Sequence, residues 1–174
     1  PMGFNGTSSY AKIMMSHEMT NFTVEAWVYL NVVGKQQYFF NSEKAGLGIG
    51  ISSGNKLIIV RSGVSLDRTV SGYTFVKDVW QHVAVTKDGN NFVVYINGEK
   101  IDSWTSSNAY PIIDFVTIGA EINTYSPNGG YWLNGYVEGL RVFDGVKYTE
   151  RLVCPQSYWD YADYNRVELV DPFE

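Results

Sequence analysis

The chain has 174 residues, of which 16% are aromatic (5 Trp, 13 Tyr, 9 Phe) and only 18% charged, with a formal net charge of −5. An ordinary globular domain is nearer a quarter charged, so this balance excludes intrinsic disorder, a coiled coil and a basic nucleic-acid arm. The basic residues are scattered, and a net negative chain repels phosphate backbones. Cys154 is the one cysteine, so no disulfide closes within the chain. No run approaches the roughly 18 apolar residues of a membrane helix.

In chain order, the dominant pattern has period two. A first strand is expected over Tyr10–Met15. The run FTVEAWVYL from Phe22 alternates Phe22, Val24, Ala26, Val28 and Leu30 against Thr23, Glu25, Trp27 and Tyr29, as a strand with one face on a core does. Shorter strands are expected at Gln37–Asn41 and Leu47–Ser52, with a turn at Ser52–Asn55 before KLIIVRS from Lys56. WQHVAVT from Trp80 and NNFVVYI from Asn90 flank the turn DGNN and are rich in Val, Ile and aromatics. Asn97 and Gly98 then predict a two-residue type I′ hairpin, whose central residues both need positive φ. Beyond it, strands are expected over Glu99–Trp104, Phe115–Glu121 and Leu133–Phe143. Phe22, Trp27, Trp80, Phe92, Phe115 and Phe143 fall on strand positions assigned to core bulk. Ten to twelve strands at short spacing, with no amphipathic helix, predict an all-β antiparallel two-sheet sandwich. The chain is read as a single domain over 1–174, in which 155–174 forms a packed aromatic and acidic tail with a short strand at Val167–Val170.

The segments GFNGTSSYAKI, FTVEAWVYL, WQHVAVTKDGNNFVVYINGEKI and FVTIGAEINTYSPNGGYWLNGYVEGLRVFDGVKYT follow one another in the order and spacing of the laminin G-like, concanavalin A-like jelly-roll domains. The resemblance covers Gly3 to Tyr148. The NGYVEGLRVF strand with its GVKYT turn resembles most the versions in bacteriophage and bacterial surface proteins. The family implies a sandwich of 13 or 14 strands that binds glycans or protein partners outside cells or on virions. It also implies a structural place for His82. Relatives hold calcium through an Asp in an FDGS-like opening and paired acids in a GxIDDxRI-like strand. Here those positions carry Asn5, Ser8 and Ser9, and Glu138 followed by Gly139. The lost charge leaves no cofactor expected, with calcium on backbone carbonyls as the alternative.

The same fold hosts glucanases, which need carboxylates at alternate positions of one strand so that two of them flank the glycosidic bond. The nearest acidic pairs are Glu99 with Asp102, on opposite faces, and Asp160 with Asp163 in the tail. Neither fits, and no catalytic residue is assigned.

Sugar recognition needs flat apolar faces and planar amides, and the loop Ile122–Trp132 is rich in both. Asn123, Tyr125, Asn128, Tyr131 and Trp132 are its candidate carbohydrate-binding residues, although Tyr131 and Trp132 also suit the rim of a core. Tyr110, with Trp104 and Asn108, is a second group at the same expected end of the sandwich. Trp27, Tyr29 and Tyr95 are read as packing residues. Two functions follow: a noncatalytic glycan-binding adhesion module for a cell or virion surface, or a structural decoration or oligomerisation protein. The expected partners are a glycan or surface polysaccharide, a second copy or virion proteins, with no nucleic acid and no membrane insertion.

Overall fold

The computed structural model describes residues 1–43, 45–124 and 126–147. These form fourteen strands and no helix: β1 (Met2–Asn5), β2 (Ala11–Met14), β3 (Phe22–Leu30), β4 (Gln37–Ser42), β5 (Leu47–Ile51), β6 (Leu57–Arg61), β7 (Ser65–Val70), β8 (Trp80–Asp88), β9 (Asn91–Ile96), β10 (Glu99–Thr105), β11 (Phe115–Ile118), β12 (Glu121–Asn123), β13 (Ser126–Gly130) and β14 (Asn134–Asp144). Sheet A runs β1-β14-β3-β8-β9-β10 and sheet B runs β2-β11-β4-β5-β6-β7, with β12 and β13 as a separate hairpin. All pairings are antiparallel.

The core lies between the two sheets and follows the pleat. Phe22, Val24, Ala26, Val28 and Leu30 of β3 meet Ile49, Leu57, Ile59, Val116 and Ile118 of sheet B in one cluster. Each of these side chains except Ala26 contributes roughly 1.5–3 kcal/mol when fully buried. Asn97 and Gly98 turn with φ of 51° and 82°, as the type I′ hairpin requires, and Asn97 Oδ1 accepts the His82 N–H at 2.8 Å. At the far edge, Arg68 of β7 donates two hydrogen bonds of 2.8 Å to Asp102 of β10, clasping sheet B to sheet A.

Three expectations need correction. Of the aromatics assigned to the core, Phe22 and Phe92 are there. Trp27 pairs with His82, and Tyr29 with Trp80, so Trp27 and Trp80 stand on the opposite face of sheet A from Phe22, as their odd separation from it along the pleat demands. Phe143, opposite Thr23, shares their side. The span Phe115–Glu121 is broken at Gly119, where φ is +88° and the Phe4 ring occupies the space of a Cβ, so it yields β11 and β12. Strands β1, β7 and β13 carry little of the apolar alternation that marks a strand; β1 and β7 are edge strands, where one side needs no partner. The tail 155–174, with Cys154 and the expected strand at Val167–Val170, lies outside the described residues.

Candidate functional site: a cleft on the outer face of sheet B

On the side of sheet B opposite the core the outward side chains are also largely buried, and two glycines shape this side. Gly48 and Gly50 of β5 point outward, opposite Val60 and Ile58 of β6. A Cβ on Gly50 would stand 1.8 Å from Tyr38 Cδ1, and one on Gly48 would stand 2.5 Å from Val60 Cγ2. The missing side chains let Tyr38 lie flat across β5, where it forms a buried apolar patch with Ile58 and Val60. Over this patch opens a cleft of about 420 Å³.

The hairpin β12–β13 supplies the opposite wall. It lies against β4, where the buried Asn41 Nδ2 donates to Ser42 O at 3.0 Å and reaches Ile122 O at 3.5 Å. Glu121, only 7% exposed, enters the cleft from β12. Asn123 Nδ2 donates to Glu121 Oε1 at 3.3 Å and to Ser62 Oγ at 2.8 Å, so Asn123 braces the wall from behind. Burial pushes the Glu121 carboxyl up from its ordinary range, against the hydrogen bonds from Asn123 and the Gly63 backbone. Arg61, on the third side, is turned to Asp67 at 3.2 Å, which offsets its charge.

Tyr131 completes the cleft. Its carbonyl accepts the Tyr38 N–H at 2.8 Å, and the two rings stand 5.1 Å apart, tilted by 60°. Its backbone is held at φ +48°, a conformation that bulky residues avoid, and 48% of it remains exposed. Gln36 Nε2 donates to the Tyr38 hydroxyl at 2.9 Å, while burial and the Glu121 charge raise that hydroxyl's pKa, so it stays protonated.

The sequence candidates separate here. Tyr131 lines the cleft, and Asn123 stands behind its wall. Trp132 is half-buried against Gly129 and 6.2 Å from the Tyr10 ring, outside the cleft. Asn128 is exposed on β13, also outside it. Tyr110 is only 2% exposed and packs edge-on to Phe92 in the core, with its hydroxyl donating to Asp67. It therefore offers no surface to a ligand, and Trp104 is likewise stacked on Phe92 at 4.9 Å. Tyr125 lies outside the described residues. Tyr38, Gln36, Arg61 and Glu121 were not among the candidates. The signal for Tyr38 was the alternation GLGIG after QYFF: two glycines on one strand face leave room for large neighbours.

Among the described residues, no group of three or more His, Cys, Asp or Glu could hold a metal. The opening loop does not fit calcium: Asn5 Oδ1 accepts the backbone N–H groups of Thr7, Ser8 and Ser9 at 2.9–3.1 Å, which uses the oxygen a cation would need. His82 is 5% exposed, and burial, with the Arg141 charge, lowers its pKa to about 4. It is a neutral packing group set edge-on to Trp27 at 5.2 Å.

Two antiparallel six-stranded sheets around one core, with an open cleft on one outer face, define a jelly-roll sandwich of the concanavalin A type. The chain belongs to the concanavalin A-like lectin/glucanases superfamily, whose model matches residues 5–151. No curated protein sequence matches the chain. Solved structures show the same fold at low identity. A heptameric SAP-like pentraxin from Limulus polyphemus is 17% identical with a TM-score of 0.65, over 82% of this chain and 75% of that one. A putative carbohydrate-binding protein from Bacteroides ovatus is 16% identical with a TM-score of 0.65, over 85% of this chain but only 46% of its own length. The CBM40 of a Ruminococcus gnavus IT-sialidase, bound to α2,3 sialyllactose, is 16% identical with a TM-score of 0.59, over 81% of this chain and 94% of that one.

Proposed function

We propose that this protein is a noncatalytic carbohydrate-binding module, acting in adhesion at a cell or virion surface, and that the sugar lies in the cleft over Tyr38. The observation that carries this reading is the exposed, backbone-strained Tyr131 ring beside a buried carboxylate, above an apolar floor. A pyranose ring stacks on such an aromatic face through its C–H groups, while Glu121 accepts from its hydroxyls. The R. gnavus module that shares the fold is bound to a saccharide, which supports the class of ligand. Its ligand is acidic, whereas this cleft has Arg61 already matched by Asp67 and the Glu121 carboxylate facing inward. That balance favours neutral sugars. Catalysis is not part of this reading, because a glycosidase needs a second carboxylate across the bond and Glu121 is the only carboxylate lining the cleft among the described residues.

A protein-contact role is the second reading, favoured by Val64 and Leu66, which stand about half exposed on the rim. A glycan array repeated with chelator separates the two. Binding to neutral saccharides that is unaffected by chelator and lost in Tyr131→Ala, with folding intact, supports the module. No binding to any glycan by the parent chain, together with a stable homo-oligomer in light scattering, sinks it in favour of the protein-contact role.

A further inference from the structure

The lining of the cleft changes character along β6 and β7, and strand parity explains how. Leu57 and Ile59 face the core, so Ile58 and Val60, alternating with them, face outward. Val60 pairs with Leu66 and Arg61 with Ser65, which sets Leu66 beside Val60 on the outward face. Arg61 and Ser65 border the cleft, but Arg61 Nε and Ser65 Oγ both donate to Asp67. Toward the cleft this leaves an aliphatic strip of Val60, Val64 and Leu66, in which Val64 is 50% and Leu66 56% exposed.

The rest of the lining is aromatic or polar, from Tyr38, Tyr131, Gln36 and Glu121. Glu121 accepts the Gly63 N–H, one residue before Val64, so the carboxylate and the aliphatic strip meet at one end of the cleft. A pyranose stacked on Tyr131 with a hydroxyl on Glu121 therefore turns another edge to Val64 and Leu66. A hydroxyl on that edge gives up water and finds no side-chain partner in the strip, whereas a methyl group gains contact. Among neutral sugars, 6-deoxyhexoses carry a bare methyl on C5. An N-acetyl group also ends in a methyl, but its amide N–H and C=O need partners that valine and leucine side chains do not have.

We propose that Val60, Val64 and Leu66 form a methyl seat that selects 6-deoxyhexose residues over the corresponding hexoses. This specificity rests on the reading of the cleft as a neutral-sugar site, and it gives the exposed apolar rim a task within that site.

The test is an NMR titration of the full chain with matched methyl glycosides that differ only at C6: L-fucose with L-galactose, L-rhamnose with L-mannose, and 6-deoxy-D-glucose with D-glucose. In at least one pair the deoxy sugar should bind tighter by about fivefold or more, because an apolar site rejects an added hydroxyl by up to about 100-fold and this one is half open. The same sugar should shift the Leu66 methyl resonances. Leu66→Asn, at an exposed position, should bring that pair within about twofold, while Leu66→Met keeps the preference. Equal or tighter binding of the hexose in every pair overturns the methyl seat and leaves the neutral-sugar reading standing. A preference that persists in Leu66→Asn, or tighter binding of methyl N-acetyl-D-glucosaminide than of any deoxy sugar, overturns it in the same way. If none of the six matched glycosides binds the parent chain, the seat is refuted, and the glycan array decides the neutral-sugar reading separately.

Discussion

Tyr131 and Tyr38 are tied twice, by a 2.8 Å backbone hydrogen bond and by ring contact at 5.1 Å, and Tyr38 can take this place only because position 50 has no side chain. In Gly50→Ala the added carbon meets both the Tyr38 ring and, at 2.9 Å, the Gln37 carbonyl. Overpacking of this kind costs about 1–3 kcal/mol. A urea titration should show that loss, and saccharide binding should fall with it because the floor of the cleft moves. Unchanged binding in a folded Gly50→Ala protein would show that Tyr38 is not the floor.

Glu121 exchanges stability for chemistry. Its folded-state pKa lies above its unfolded value, so its contribution to stability is present below about pH 4.5 and is lost as pH rises from there. Glu121→Gln, which keeps an oxygen for Asn123, should therefore unfold at higher urea than the parent at pH 7 and at the same urea near pH 4. Saccharide affinity should fall at pH 7. A variant that is both less stable and equally good at binding contradicts this assignment.

His82 sets the opposite slope. Its pKa of about 4 in the fold lies below the ordinary 6.5, so the unfolded chain binds the proton first. Stability is complete above about pH 6.5 and declines as pH falls toward 4, by roughly 3 kcal/mol over the window. His82→Phe, which cannot take up a proton, should lose most of this dependence in urea titrations at stepped pH.

Asp67 gathers Ser65, Tyr110, Arg61 and Asn108. Burial alone would raise its carboxyl, but these hydrogen bonds and the Arg61 charge outweigh it and hold the pKa low. The stabilisation is present above about pH 3.8 and is lost as pH falls below it. Tyr110→Phe should cost about 1.5–3 kcal/mol by removing one donor to a charged acceptor. Saccharide affinity should stay within twofold, since Tyr110 touches no cleft surface; a tenfold loss would return Tyr110 to the site.

The alternation in FTVEAWVYL, WQHVAVT and NNFVVYI, together with the Asn97–Gly98 turn, determined two antiparallel layers and an aliphatic core from the sequence alone, because burial of one strand face forces period two and a type I′ turn forces its residues. The same parity sets Trp27 opposite Phe22 and so contradicts the assignment of Trp27 to the core. The sequence also made Tyr131 a candidate, since aromatic and amide residues crowd its loop. What only the tertiary structure decided is which aromatics meet. Tyr110 and Trp104 resemble surface residues by composition but close on Phe92, whereas Tyr38, distant in sequence from Tyr131, becomes its partner. Strand order and hairpin placement over sheet B bring positions 38, 61, 121 and 131 together, and no local pattern encodes contacts between strands so far apart along the chain.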